Sequence, residues 1–111
     1  NRRCFVQISS LQESGITPEA FMQEAGRHEN ILVSLWIEAP RRGVCAGLTG
    51  LHYIEAFRTA GWNIRGIAVL GMDQLPYESP AGLPQPLFVP DSTTTPANAI
   101  AAQIRNNWGW L

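Results

Sequence analysis

The sequence predicts an α/β domain in which β-strands alternate with α-helices that cover a central sheet. Three observations support this prediction. Residues Ile31–Ile37 form an uninterrupted apolar, β-favouring run, as in a strand covered on both faces. Residues Ala46–Ala60 carry apolar side chains at helical spacing. Thr-Pro pairs at 17–18 and 95–96 have the order of a helix N-cap followed by a first helical residue.

The first half of the chain contains the first two predicted strands and the first helix. Residues Cys4–Ser9 alternate loosely between apolar and polar side chains, which favours a strand. A turn with the sequence SLQESG follows, and Thr17 then predicts the start of a helix that ends near residues 26–28. The second strand is predicted over Ile31–Ile37, and its Trp36 is expected to lie in the core.

The second half continues the alternation. The turn-forming stretch APRRGVCAG precedes the Ala46–Ala60 helix, which Gly61 is expected to terminate. Residues Ile64–Leu70 predict the third strand, and the four prolines within Asp73–Pro86 predict a loop because proline lacks a backbone donor. Leu87–Val89 predicts a short fourth strand. The last helix is predicted to start at Pro96, with Thr95 as its cap and an apolar stripe of Ala97, Ile100, Ala101, Ile104 and Trp108.

The predicted order of elements is therefore β-α-β-α-β-β-α. Strands that are joined by a helix are expected to be parallel, with right-handed crossovers. At 111 residues the chain can enclose a single core, so one domain over residues 1–111 is predicted.

Composition excludes several classes of partner. The chain is 45% hydrophobic and 15% charged, with a formal net charge of -1, so neither nucleic acid nor a membrane surface is predicted as a partner. No apolar run reaches the length of a membrane span. The two cysteines, Cys4 and Cys45, fit neither a zinc framework nor a CxxC motif, and a disulfide between them depends on the fold. The chain has no lysine and begins at Asn1, which fits an exported bacterial protein, either as a cut domain or as a processed product.

Three segments resemble thioredoxins. ITPEAFMQEAGRHENILVSLWIEAP resembles the stretch from the first thioredoxin helix into the central strand, where a VDFWA.WC pattern leads to the cysteine pair. IAVLGMD resembles the next strand, and LPQPLFV resembles the segment in which a cis-proline precedes a hairpin strand. The resemblance covers residues 16–108. It implies a thioredoxin-like fold with a central mixed sheet and helices on both faces.

The chain departs from thioredoxins at the redox site. The positions that match the two active cysteines are Pro40 and Gly43. Arg41 and Arg42 lie between them, and Ser34 stands where thioredoxins have a buried acid. Without a thiolate at this place no mixed disulfide forms, so thiol–disulfide exchange is not expected there. The resemblance then implies a binding or assembly module, a class that includes accessory proteins of bacterial envelope and conjugative-transfer machinery.

The predicted partner is another protein, and neither a cofactor nor a metal is predicted. The contact surface is expected to combine the Pro40–Gly43 loop with the Leu83–Pro86 segment, which a thioredoxin-like fold brings together. Trp108 and Trp110, near the chain end, are predicted to be interface anchors, because large aromatic residues are favoured in that role. An alternative is equally favoured, in which Trp108 covers the core and Trp110 belongs to a frayed tail. The candidate binding residues are Pro40, Arg41, Arg42, Leu83, Pro84, Pro86, Trp108 and Trp110.

Two other classes of function stay open. A single-cysteine thiol enzyme would use Cys45 as nucleophile and His52 as base, whereas the simpler role of Cys45 is that of a small buried hydrophobe. His52 and Glu55 lie three residues apart on one predicted helix but lack metal-ligand spacing. A small-ligand-binding α/β domain is the third class. Arg41 and Arg42 would then bind a carboxylate or phosphate with the following helix N-terminus, although GVCAGLTG matches no phosphate-binding loop.

Overall fold

Helices and short strands alternate along the chain in the predicted order β-α-β-α-β-β-α, which confirms the α/β class. The computed structural model describes residues 5–7, 9–76, 78 and 80–108. Contacts divide the chain into a first unit, Asn1–Asn63, and a second unit, Ile64–Leu111.

Among its described residues, the first unit contains two strands and two helices. Strand β1 (Phe5–Gln7) lies parallel to β2 (Ile31–Val33), with Phe5 opposite Ile31. Helix α1 (Pro18–Ala25) connects these strands, and helix α2 (Gly50–Thr59) follows β2 and packs against α1. The predicted parallel pairing of strands joined by a helix is therefore confirmed for β1 and β2.

Helix α1 begins and ends where the sequence predicts. Thr17 is the N-cap, and its Oγ1 accepts a hydrogen bond of 3.3 Å from the backbone N–H of Ala20. Pro18 occupies the first turn, where a helix residue needs no backbone donor. At the other end the N–H of Gly26 donates to the carbonyl of Met22 over 2.9 Å. The apolar face of α1 buries Phe21 and Ala25 completely.

Strand β2 is shorter than predicted, because it ends at Val33 and not at Ile37. The backbone beyond Val33 pairs with the preceding turn and not with another strand. The N–H of Leu11 donates to the carbonyl of Ser34 over 3.2 Å, and the Gln12 side chain bonds both backbone groups of Trp36. Backbone groups that are satisfied in this way need no neighbouring strand.

Helix α2 starts four residues later than predicted, at Gly50 in place of Ala46. Gly47 has a φ of 79°, in the left-handed region, which interrupts any helix that would begin at Ala46. Thr49 is the N-cap of the helix. The predicted terminator is confirmed, since Gly61 has a φ of 90° directly after the last turn.

The core of the first unit is built from aromatic residues of both helices. The rings of Phe21 and Phe57 lie 5.9 Å apart, and Phe57 stacks on Trp62 at 4.8 Å. Tyr53 and Leu11 are fully buried beside them. Aromatic pairs at these separations add to the free energy gained from the burial of their surface.

The part of the second unit that the structure describes contains two strands and one helix. Strand β3 (Ala68–Leu70) lies parallel to β4 (Leu87–Val89), with Val69 opposite Phe88. Helix α3 (Ala97–Trp108) packs against β4. The bounds of β4 are those predicted, whereas β3 begins four residues later than the predicted Ile64.

Helix α3 begins at Ala97, one residue after the predicted start. The N–H groups of Thr94 and Thr95 both donate to the carbonyl of Asp91, so these threonines close a turn before the helix. The carbonyl of Pro96 then accepts the bonds that open the helix, from Ala99 over 3.0 Å and Ile100 over 3.1 Å. Thr95 therefore lies in this turn, and Pro96 directly precedes the first residue of the helix.

The pairing of strands differs from the single central mixed sheet that the resemblance implies. In the part of the chain that the structure describes, the strands form two separate two-stranded parallel sheets, β1-β2 and β3-β4. The β3-β4 pair is parallel and not a hairpin. A run of apolar residues reports that a strand is covered, but it carries no information about which strand lies beside it.

Candidate functional site

The turn between β2 and α2 presents the most exposed predicted binding residues. We call residues 40–44 the arginine loop. Arg41, Arg42, Gly43 and Val44 are all exposed, and 74% of the Val44 surface is accessible. Gly43 has a φ of 90°, a backbone conformation that strongly favours glycine. The chain therefore makes a tight, glycine-dependent turn that displays two cations and one branched apolar side chain.

Backbone hydrogen bonds hold the base of the arginine loop. The N–H of Gly47 donates to the carbonyl of Pro40 over 3.1 Å, which closes the loop across its two ends. The N–H of Ala46 donates to Gly43 over 3.2 Å, and that of Leu48 donates to Cys45 over 3.0 Å. The path of the loop backbone is thus fixed by the chain itself.

Cys45 anchors the loop in the core. Only 2% of its surface is accessible, and its Sγ lies 3.3 Å from the hydroxyl oxygen of Tyr53. The Tyr53 hydroxyl also donates to the carbonyl of Ile16 over 2.6 Å. A phenol has one proton to donate, and the carbonyl oxygen, at the shorter distance, is the stronger acceptor.

Burial governs the chemistry of this pair. It raises the pKa of the Tyr53 phenol above its ordinary value of 10.0, and the neighbouring Cys45 raises it further. Tyr53 is therefore a neutral hydrogen-bond donor at neutral pH. A substrate would have to open the core to meet the Cys45 thiol, which matches the role of a small buried hydrophobe predicted as the simpler alternative.

The imidazole ring of His52 takes part in capping helix α2. Its Nδ1 accepts a hydrogen bond of 3.0 Å from the N–H of Thr49 and lies 2.8 Å from the Thr49 hydroxyl. In return, the N–H of His52 donates to Thr49 Oγ1 over 3.2 Å. These reciprocal bonds form a capping box with histidine in the place usually taken by Glu or Gln.

Metal-ligand chemistry finds no support in this part of the molecule. Glu55, the predicted neighbour of His52, pairs with Arg58 over 3.0 Å. Among the described residues no group of three or more His, Cys, Asp or Glu side chains is placed to hold a metal ion.

Trp36 is exposed, which corrects its predicted place in the core. Its accessible fraction is 44%. Strand β2 ends at Val33, so Trp36 is not part of a covered strand. Its backbone is bound by the carboxamide of Gln12, whose Nε2 donates to the Trp36 carbonyl over 2.9 Å and whose Oε1 accepts from the Trp36 N–H over 3.0 Å. Gln12 Nε2 also donates to the carbonyl of Leu48 over 3.4 Å. One buried amide therefore ties the residues before the arginine loop to those after it.

Sequence reasoning missed Gln12. It lies in the stretch SLQESG, which reads only as a turn, and glutamine is usually exposed. Here it is 5% exposed because all its polar atoms have partners inside the unit. A single sequence offers no signal that distinguishes this glutamine from a solvated one.

The N-terminus of α2 does not form an anion site with the arginines. Helix α2 begins eight residues after Arg42, and its first N–H, that of Gly50, donates to the carbonyl of Ile37 over 3.2 Å. The N–H of His52 is bound by Thr49. These N–H groups already have acceptors, which removes the phosphate cradle that the third predicted class requires.

The arginine side chains themselves have no protein partner within the described residues. No salt bridge or hydrogen bond from the guanidinium of Arg41 or Arg42 occurs there. Both side chains are exposed. Their donors therefore face solvent and are available to a ligand.

The remaining predicted binding residues belong to the second unit. Leu83, Pro84 and Pro86 are half-buried, and both prolines follow trans peptide bonds, unlike the cis-proline that the resemblance implies. Because the arginine loop belongs to the first unit, the predicted surface that combines both segments stays a prediction.

The two predicted tryptophan anchors and Cys4 have different outcomes. Trp108 is half-buried, and a Cβ added at Gly66 would come within 2.8 Å of its indole Cδ1. Trp108 thus covers the backbone of its own unit, as one of its two predicted roles requires. Trp110, the other predicted anchor, and Cys4, with its predicted strand position and disulfide option, lie outside the described residues.

Comparison with protein-family models, with curated proteins and with solved structures finds no match to this chain. Among the described residues, no helix has the length and apolar character needed to cross a membrane.

Proposed function

We propose that this chain is a non-catalytic protein-interaction module that binds its partner through the arginine loop. One observation carries the proposal. Arg41 and Arg42 extend from a backbone whose two ends are held by internal hydrogen bonds, and they have no partner among the described residues. Arginine is a preferred anchor at protein interfaces, and a fixed loop loses little conformational freedom on binding.

The surroundings of Cys45 favour binding over thiol chemistry. The thiol is 2% exposed, and the side chain proposed as its base, His52, is held in the capping box of α2. A nucleophile needs access to substrate and a base within hydrogen-bond reach. Burial restricts the access of a substrate to the Cys45 thiol, and the capping bonds already engage His52. Both observations count against a single-cysteine enzyme.

We extend the proposal to a thioredoxin-like scaffold without its redox pair. The order of elements, the parallel β1-β2 pair around α1 and the placement of the arginine loop ahead of α2 support this extension. The parallel β3-β4 pair counts against it. By resemblance alone, the partner would belong to an assembly such as a bacterial envelope or conjugative-transfer system.

Affinity capture tests the proposed function. The full chain, an Arg41→Glu/Arg42→Glu variant and an Arg27→Glu/Arg65→Glu control are immobilised and exposed to source-cell extract. The control makes the same change in net charge at two other exposed arginines. A partner retained by the wild type and the control but lost from the loop variant supports the proposal, provided that the melting temperatures agree.

Two results would contradict it. Equal capture by the wild type and the loop variant would remove the arginine loop from the interface. Reduction of insulin disulfides by the purified chain would restore a redox function and refute the non-catalytic assignment.

A further inference from the structure

We infer that the partner of the arginine loop is an acidic peptide segment that also carries a hydrophobic side chain. This inference rests on the proposed function and names the chemistry of the partner. It depends on the charges of the first unit, on the apolar surface beside the arginines and on the absence of a phosphate cradle among the described residues.

The arginine loop carries a local positive charge, which favours an acidic ligand there. Residues 1–63 contain six glutamates and six arginines, so the formal charges of these side chains cancel over the first unit. One of these arginines, Arg58, pairs with Glu55. Among the described residues Arg41 and Arg42 are the only adjacent pair of arginines, so they form a local positive site. Such a pattern attracts and orients an acidic partner.

The surface next to the arginines is apolar. Val44 directly follows the loop glycine and is 74% exposed. Trp36, on the approach to the loop, is 44% exposed. Arginine and tryptophan are the residue types that most often dominate binding free energy at protein interfaces. A partner that satisfied only the arginines would leave this apolar surface in water, and we therefore assign it a hydrophobic side chain as well.

Carboxylates fit the arginine loop better than a phosphate group does. Phosphate sites in proteins combine positive charge with several converging backbone N–H donors. Here the N–H of Gly47 is bound to Pro40, and those of Gly50 and His52 also have acceptors. These three N–H groups are therefore not available to a phosphate. The two guanidinium groups match carboxylates that are spaced along a chain, each able to pair bidentately with one arginine.

A peptide selection tests the inference and does not require the natural partner. Random peptides displayed on phage are selected on the immobilised full chain and counter-selected on a Val44→Ser variant. This variant keeps both arginines, so the procedure does not itself favour acidic sequences. Since Val44 is largely exposed, the variant is expected to fold, and circular dichroism checks this.

The recovered peptides are expected to be enriched in Asp and Glu next to a hydrophobic residue. The most enriched sequence is then synthesised, and its Kd is measured by fluorescence anisotropy. An Arg41→Gln/Arg42→Gln variant should weaken binding by about 100-fold, because two charge-assisted pairs are lost. The matched control Arg27→Gln/Arg65→Gln should leave the Kd within about twofold of the wild type. Glu38→Gln, which removes the carboxylate nearest to the loop in sequence, should tighten binding.

The outcomes separate the inference from the proposed function. If the loop-dependent peptides are neutral or basic, the acidic partner is refuted and the interaction module stands. If no peptide distinguishes the wild type from Val44→Ser, the hydrophobic side chain of the partner is refuted, whereas the proposed function is still decided by the Arg41→Glu/Arg42→Glu capture. Equal loss of affinity in the arginine variant and its control would also refute the assignment, since net charge alone would then explain binding.

Discussion

The carboxamide of Gln12 binds Trp36 as a neighbouring β-strand would, by donating to its carbonyl over 2.9 Å and accepting from its N–H over 3.0 Å. A further donation to Leu48 over 3.4 Å engages the second hydrogen of the same amide. A glutamine amide offers two donor hydrogens and one acceptor oxygen, so this arrangement uses both hydrogens and the oxygen. The result is a buried junction between the two flanks of the arginine loop.

Removal of this amide should destabilise the first unit. We expect Gln12→Ala to lower the free energy of unfolding by about 3 kcal/mol, because buried backbone groups at Trp36 and Leu48 lose their partner. Urea unfolding measures the change. The control Gln23→Ala alters an exposed position on α1 and should shift the free energy by less than about 0.5 kcal/mol. Equal effects of the two substitutions would mean that the Gln12 bonds add nothing.

Gly50 allows α2 to approach the Trp36 backbone closely. A Cβ at this position would lie 2.6 Å from the Trp36 carbonyl oxygen, a distance that forces the helix or the loop to move. Helix propensity alone predicts that Gly50→Ala stabilises the chain by up to about 1 kcal/mol. The close contact predicts instead that Gly50→Ala lowers the free energy of unfolding by about 2 kcal/mol. Urea unfolding decides between the two expectations, because it shows whether Gly50→Ala raises or lowers the free energy of unfolding.

The capping role of His52 predicts a pattern that a catalytic base would not give. His52→Ala should lower the free energy of unfolding by about 1 kcal/mol through loss of the capping box. His52→Gln, which supplies another acceptor at the same position, should recover most of this loss. Alkylation of Cys45 by iodoacetamide should stay slow in both folded variants. A sharp fall in alkylation rate in the variants relative to the wild type would identify His52 as a base after all.

The environment of Tyr53 predicts a loss of stability at alkaline pH. Its raised pKa means that the unfolded state releases the phenolic proton near 10.0 while the folded state retains it. The folded state then binds more protons, so the free energy of unfolding falls as the pH rises above about 10, by at most about 1.4 kcal/mol per pH unit. The absence of lysine leaves few other groups that titrate in this range.

Tyr53→Phe is the matched variant for this measurement. It should be less stable than the wild type at neutral pH by about 1 kcal/mol, because the Ile16 carbonyl loses its donor. The deficit should narrow as the pH rises above about 10, since phenylalanine does not titrate. Parallel pH profiles of the two proteins, measured by urea unfolding, would contradict the raised pKa.

Local signals in the sequence predicted the beginnings and ends of elements where the chain itself provides the partners. Thr17 and Pro18 start α1, and Gly61 follows the end of α2, because a cap or a left-handed turn is decided within a few residues. The extension of β2 to Ile37 was wrong for a different reason. Its apolar run is real, but the side chain of a residue more than twenty positions away replaced the neighbouring strand.

The sequence predicted which residues of the arginine loop are exposed, but it did not predict how the residues around the loop are arranged. The exposure of Arg41 and Arg42 follows from their charge and their place in a turn. The burial of Cys45 does not follow from its residue type, since its thiol lies against Tyr53. The exposure of Trp36 goes with the end of β2 at Val33, which the apolar run does not reveal.

The junction at Gln12 is separate from the surface that the proposed partner would touch. The side chains at positions 41, 42 and 44 take no part in the bonds of that junction, whereas Gln12 makes all of them. A side chain at position 43 would strain the backbone, and one at position 50 would clash with the Trp36 carbonyl. If the proposed function holds, natural variation that changes the target is therefore expected at positions 41, 42 and 44. The same division makes the turn a suitable place to graft foreign recognition sequences.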